Sequence, residues 1–97
     1  MTYVAAVTYR ALPGKQDRVR ELLRELAVAS RNEAGCRGYI THVSIDDPTV
    51  FYLYETYEDR AAYDAHRASE HVRRLGVDGI FPLLASREPA YYEPLES

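Results

Sequence analysis

Residues 50–58 read VFYLYETYE, and no other part of the 97-residue chain predicts its local structure so strongly. The side chains alternate with a period of two, which predicts a β-strand because successive side chains of a strand point to opposite faces. Both alternating sets are largely apolar: Phe51, Leu53 and Tyr57 form one, and Val50, Tyr52 and Tyr54 form the other. A strand with two apolar faces must be covered on both of them.

The sequence before this strand predicts a strand, a helix and a second strand. Residues 3–12 are rich in Tyr, Val and Thr and end at a Pro-Gly pair, which is typical of a strand followed by a turn. From Gln16 onward, apolar residues recur at the spacing of one helical face, and Gly35 is the expected end of that helix. Residues 37–45 alternate again before the turn residues Asp46, Asp47 and Pro48.

The sequence after the strand predicts two short helices and a last strand. Asp59 can cap a helix that runs to about Arg67, and Ser69 can cap another that runs to about Gly76. Residues 86–92 have the pattern of a strand, and Pro89 within it predicts an edge position because proline cannot donate to a neighbouring strand.

The predicted order is βαββααβ over a single domain, residues 1–97. This order favours an α+β ferredoxin-like fold, in which a four-stranded antiparallel sheet carries helices on one face. The other face would present Val50, Tyr52 and Tyr54 to solvent, which a monomer rarely does. A second copy covering that face would give a homodimer.

Composition and charge exclude several classes of function. Twelve Lys and Arg residues stand against fifteen Asp and Glu residues, so the chain lacks the basic surface that nucleic acid binding needs. No apolar run reaches the length of a membrane-spanning helix, so we expect no membrane partner. Cys36 is the single cysteine and has no partner for a disulfide, and no secretory signal is recognised, which together favour a cytoplasmic location.

Glu55 is the first candidate for chemistry. It belongs to the same alternating set as Phe51, Leu53 and Tyr57, so its carboxylate is predicted to point into the covered space between sheet and helices. A buried carboxylate must find a partner or take up a proton. The alternative is a structural carboxylate that tyrosine hydroxyls or Arg10 satisfy.

Two histidines are predicted to lie on inward helical faces opposite Glu55. His66 follows Tyr63 by three residues, and His71 precedes Leu75 by four. With Glu55 they could form an acid–base cluster, although each histidine alone could equally bond a backbone or surface group. If Ser69 caps the next helix, the helix dipole keeps His71 neutral, which favours His71 as the base.

A metal site is the weaker interpretation of these histidines, and no metal ligand is predicted. His66 and His71 are five residues apart, whereas two ligands on one helical face are four apart. Asp46 and Asp47 are typical of a hydrated turn, and Cys36 of a small core residue.

Four stretches, LPGK (12–15), SRNEAGC (30–36), YETY (54–57) and HRASEH (66–71), together resemble the antibiotic biosynthesis monooxygenase family. The resemblance covers nearly the whole chain. It implies a dimeric α+β barrel and the oxidation of a small electron-rich aromatic, such as a quinol or an anthrone, by dioxygen without metal or flavin. A base would remove a proton, and the resulting anion would reduce dioxygen directly in a cavity that excludes water.

By this resemblance Glu55, His66 and His71 are the catalytic residues. The residues expected to bind substrate are Asn32, Tyr39, Leu53, Tyr57 and Tyr63, with Asn32 as a hydrogen-bond donor. The chain departs from the family pattern at Tyr57, where Trp is frequent, and at Ala34, where Pro is frequent. It contains no Trp, which argues against the related haem-degrading branch.

Three functions therefore remain open on the sequence: a cofactor-independent monooxygenase, an isomerase-type proton shuttle in the same cavity, and a non-catalytic dimer that binds a small molecule.

Overall fold

Four strands form one antiparallel sheet in the computed structural model, which describes residues 1–96. The strands are β1 (Tyr3–Ala11), β2 (Cys36–Val43), β3 (Val50–Tyr57) and β4 (Leu84–Tyr92). Their order in the sheet is β2-β3-β1-β4, and all neighbouring pairs are antiparallel. This topology confirms the predicted ferredoxin-like fold.

Three helices pack on one face of the sheet: α1 (Gln16–Arg31), α2 (Arg60–Arg67) and α3 (Val72–Ile80), the last followed by a 3₁₀ turn, Phe81–Leu83. The core contains buried residues of α1, α3 and the sheet, among them Val19, Leu23, Phe51, Leu53 and Ile80. Within residues 1–96, no helix has both the length and the apolar character that crossing a membrane requires.

The side-chain alternation of β3 is as predicted. Phe51 and Leu53 are at most 3% exposed and face the helices, whereas Tyr52 is 40% and Tyr54 41% exposed on the opposite face. The register places Glu55 opposite Ala5 of β1 and Tyr39 of β2, so it lies inside the sheet and not at an edge.

The first helix ends at Arg31, four residues before the predicted end at Gly35. Gly35 serves a different purpose, because a Cβ at this position would lie 2.4 Å from the Cβ of Ala62 in α2. Glycine therefore allows the start of β2 to approach α2 closely.

The third helix differs most from the prediction, since it continues past Gly76 to Ile80 as a π-helix. The N–H of Phe81 donates to the carbonyl oxygen of Gly76, five residues earlier. This wider turn buries both Leu75 and Ile80, which an α-helix would place on different faces.

Two predictions for the second half of the chain are confirmed. Asp59 Oδ1 accepts from the Ala62 N–H at 2.8 Å and caps α2, and Ser69 Oγ accepts from the Val72 N–H at 3.3 Å and caps the helical residues Glu70 and His71 that lead into α3. Pro89 lies in β4, which is an edge strand, although β4 begins at Leu84 and not at Ser86.

Candidate active site

Glu55 is a carboxyl group held in the protein interior. Its side chain faces the helices, the residue is 4% exposed, and Oε1 accepts a hydrogen bond of 2.6 Å from the Tyr57 hydroxyl. Burial raises the pKa of Glu55 to about 7, although the Tyr57 hydrogen bond and the charge of Arg87 partly oppose this. The carboxyl group is therefore able to gain or lose a proton near neutral pH.

His66 lies beside Glu55, in the last turn of α2. The residue is 6% exposed, and its ring centroid is 5.8 Å from that of Tyr39, 5.2 Å from that of Tyr57 and 6.2 Å from that of Tyr63. Its Nε2 is 3.6 Å from Glu55 Oε1. Burial lowers the pKa of His66, against an opposing hydrogen bond to Glu33, so the imidazole is neutral at neutral pH.

Glu33 connects the two histidines. Its Oε2 lies 2.8 Å from His66 Nδ1 and 2.5 Å from His71 Nε2. An ionised carboxylate only accepts hydrogen bonds, so each of these two nitrogens carries a hydrogen when Glu33 is ionised. Neutral His66 is then the Nδ1–H tautomer, and its Nε2 keeps a free lone pair on the side of Glu55.

Glu33 is a site residue that the sequence pattern does not predict. The residue follows the last turn of α1, and a glutamate beside a helix end is usually a solvated group. It stands 33 residues before His66 and 38 before His71, so local spacing does not reveal the contact. The one signal available was its place in the stretch SRNEAGC, which carries part of the family resemblance.

A cavity of about 120 Å³ lies between the sheet and the two later helices. It is lined by Val7, Tyr9, Leu26, Tyr39, Glu55, Tyr63, His66, Arg67, Val72, Gly76, Val77, Phe81 and Arg87. Four of the residues predicted for the site, Tyr39, Glu55, Tyr63 and His66, are among them. Aromatic rings and a few polar groups in one enclosed space are typical of a small-molecule site.

The other predicted site residues lie outside the cavity lining. His71 reaches the site through Glu33, and Tyr57 through its hydrogen bond to Glu55. Leu53 is fully buried in the core. Asn32 is exposed and donates through Nδ2 to the Val28 carbonyl oxygen at 3.2 Å, so the structure does not bring its side chain to the cavity.

Glu33, His66 and His71 are also the one set of metal-ligating side chains grouped this closely in the described part of the chain, with ligand atoms within 4.8 Å of one another. The spacing argument against a metal does not apply, because the two histidines belong to different helical segments. Two imidazoles and a carboxylate suit a divalent transition metal. The nitrogens nearest Glu33 are within hydrogen-bond distance of it, so an ion would have to displace both contacts.

Comparison with known proteins agrees with the fold described above. The model of the family described as antibiotic biosynthesis monooxygenase matches residues 2–75. No curated protein matches the chain.

Several solved structures are similar to the chain over most of its length. One described as an antibiotic biosynthesis monooxygenase is 33% identical, with a TM-score of 0.89 and 98% of this chain and 99% of that one covered. The protein PA3566 of Pseudomonas aeruginosa is 31% identical, with a TM-score of 0.88 and coverage of 97% and 94%. The protein Rv0793 of Mycobacterium tuberculosis is 26% identical, with a TM-score of 0.91 and coverage of 100% and 98%.

Proposed function

The chain belongs to the antibiotic biosynthesis monooxygenase family, and on this premise we propose that it oxidises a small electron-rich aromatic, a quinol or an anthrone-like compound, with dioxygen and without a cofactor. The observation that carries the proposal is the position of His66 Nε2. This atom belongs to a cavity-lining residue, stands 3.6 Å from a buried carboxyl group, and is part of an imidazole that burial keeps neutral.

The first step is removal of a phenolic or activated C–H proton by His66 Nε2. The imidazolium that results would have Glu33 on its Nδ1 side, at 2.8 Å, and Glu55 on its Nε2 side. Two carboxyl groups placed in this way stabilise the positive charge as it forms, and Glu33 also fixes the tautomer and the ring orientation. Tyr57 holds Glu55 in place through the 2.6 Å hydrogen bond.

The electrons of the reaction balance without an external reductant. Oxidation of a quinol to a hydroxyquinone, or of an activated CH₂ to a carbonyl, removes four electrons from the substrate. Dioxygen accepts all four, so that one oxygen atom enters the product and the other leaves as water. The protein then needs only to deprotonate the substrate, hold it against dioxygen and exclude bulk water.

The geometry favours His66 as the base over His71, which the sequence had favoured. His66 lines the cavity, whereas His71 lies behind Glu33 and presents its Nε2 to that carboxylate. We assign His71 the role of positioning Glu33.

The proposal extends to a homodimer formed through the uncovered sheet face. Ile40, Tyr52 and Tyr54 are 51%, 40% and 41% exposed on neighbouring strands, so the face opposite the helices exposes a cluster of large apolar side chains. Burying such a face against a second copy is the simplest way to remove it from water.

Oxygen consumption with a panel of quinols and anthrones tests the function. We expect turnover in buffers treated with a chelator, and a loss of about a hundredfold or more in His66→Ala, as for removal of a general base. Asp64→Ala is the matched control, because Asp64 is exposed on the same helix two residues earlier. Turnover that His66→Ala leaves unchanged would show that His66 is not the base.

The other functions predict different results. An isomerase-type proton shuttle consumes no oxygen but exchanges solvent deuterium into its ligand. A binding protein does neither. Loss of turnover on chelation that a divalent ion restores would instead support a metal at Glu33, His66 and His71.

A further inference from the structure

Two positively charged side chains line the cavity, Arg67 from the end of α2 and Arg87 from β4. Among residues 1–96, neither arginine forms an ion pair with a carboxylate. Most exposed arginines of the chain differ in this respect, as Arg10 pairs with Glu88 and Arg37 with Glu58. Arg87 lies close to the Tyr9 hydroxyl and its charge acts on Glu55, but within the described residues no salt bridge neutralises either arginine, so both can attract an anion.

Both guanidinium groups lie over aromatic rings of the cavity wall. The Cζ of Arg87 lies 5.0 Å from the ring centroid of Phe81, and the Cζ of Arg67 lies 6.0 Å from that of Tyr63. A guanidinium stacked on a ring keeps its N–H edge available for two parallel hydrogen bonds to a carboxylate. Both residues are exposed, which places them at the cavity mouth.

The charge of the cavity lining is positive, although the whole chain carries a formal net charge of −3 at pH 7. The one carboxyl group in the lining, Glu55, already accepts the Tyr57 hydrogen bond, and His66 is neutral at neutral pH. Two guanidinium groups at the rim of a low-dielectric cavity attract anions and repel cations.

The size of the cavity matches a ligand of one ring. A protein cavity of about 150 Å³ accommodates benzene, so about 120 Å³ matches a single six-membered ring with its substituents at the mouth. A three-ring compound is larger than this volume and would extend beyond the cavity.

We propose that the ligand is a single-ring phenol or quinol that carries a carboxylate, with the ring in the cavity and the carboxylate bound by Arg87 and Arg67. This inference rests on the proposed function for the identity of the ring, and it narrows the substrate class from quinols and anthrones to hydroxylated benzoates.

Binding of benzoate and benzamide tests the charge requirement, because the two have nearly the same shape and differ in charge. Isothermal titration of the intact protein should show benzoate binding about tenfold or more tighter than benzamide, the effect of a charge-assisted hydrogen bond. Arg87→Gln should reduce that ratio to about one or two. Arg37→Gln is the control, since Arg37 is exposed on β2 away from the cavity, and it should keep the ratio.

Two further measurements test the proposal even if Arg87→Gln fails to fold. In the wild type, rising salt should weaken benzoate binding and leave benzamide binding unchanged, and Arg87→Lys should retain part of the preference. Equal affinity for the two ligands in the wild type, or a full preference in folded Arg87→Gln, overturns the proposal.

Oxygen-consumption assays distinguish a failure of this inference from a failure of the proposed function. With 2,5-dihydroxybenzoate, hydroquinone and an anthrone as substrates, we expect the carboxylate to give the highest kcat/KM. Preferential benzoate binding without any oxygen uptake would support the anion site and contradict the monooxygenase. Uptake that is fastest with the anthrone would support the monooxygenase and overturn the single-ring carboxylate.

Discussion

Glu33 Oε2 contacts two imidazoles that belong to different helical segments, and this makes Glu33 the residue on which the orientation of both depends. Its carboxylate also opposes the effect of burial, which lowers the pKa of His66. Glu33 does not line the cavity, so we regard it as a positioning residue.

Glu33→Gln removes the charge and keeps a side chain of nearly the same shape. We expect kcat/KM to fall by about ten- to a hundredfold. The acid limb of the pH profile should move to lower pH, because His66 loses the group that raises its pKa. Glu25→Gln, an exposed site on α1, is the control. A lower rate with an unmoved acid limb would indicate a purely structural role.

Glu55 links folding stability to pH. The pKa of Glu55 rises from 4.5 to about 7 on folding, so the folded state prefers the neutral carboxyl. The stabilisation is fully present below pH 4.5 and is lost as pH rises through about 7, a change of about 3 kcal/mol.

Glu55→Gln cannot ionise but can still accept from Tyr57. Urea unfolding at pH 4.5 and pH 8 should therefore show that the variant gains stability relative to wild type at the higher pH, by up to about 3 kcal/mol. Glu25→Gln should show no such difference between the two pH values. A stability difference that is the same at both pH values would contradict a buried, proton-binding Glu55.

At the residue scale, the sequence could predict what depends on local geometry alone. Strand alternation placed Glu55 inward, and helical phase placed His66 inward. The bridge through Glu33 depends on how closely α1, α2 and the start of α3 approach one another, and no period in the sequence carries that information.

At the scale of elements, two of the boundaries that the sequence misplaced concern glycine. Gly35 and Gly76 were interpreted as helix ends, because glycine lowers helix propensity. In the structure Gly76 is buried inside α3, where the π-turn lets Leu75 and Ile80 both reach the core. Packing therefore outweighs local propensity at this position.

The close contact between Gly35 and α2 predicts the effect of a substitution at Gly35 and of a second substitution that compensates for it. Gly35→Ala should force α2 away from the sheet, because the new Cβ would lie 2.4 Å from Ala62 Cβ. We expect a loss of about 1–3 kcal/mol in unfolding free energy and lower activity, since α2 carries His66.

Ala62→Gly added to Gly35→Ala should restore activity, although glycine in the helix itself costs about 1 kcal/mol. The matched control is Gly38→Ala, because the nearest atoms to a Cβ there are 4.0 Å away. A double variant that is no more active than Gly35→Ala would mean that the close approach does not position α2. Thermal unfolding and oxygen uptake measure both effects.

At the scale of the whole molecule, three helices cover one face of a four-stranded sheet and leave the other face open. A single layer of helices is all that a chain of this length supplies. The order of elements along the sequence was sufficient to predict one covered and one uncovered sheet face, because this difference depends only on the number of helices and strands.

The open face predicts the assembly state. If two copies pair through it, wild-type protein at about 50 μM should sediment at twice the 11.1 kDa of one chain. Tyr54→Lys places a charge at the centre of this face, between Ala6 of β1 and Ile40 of β2, and should shift the protein to a single-chain mass or to aggregates. Val28→Lys makes the same change in charge at an exposed apolar residue of α1 and should leave the dimer intact. A wild type that sediments as a monomer, or a Val28→Lys variant that dissociates as readily as Tyr54→Lys, would show that the open face is not the interface.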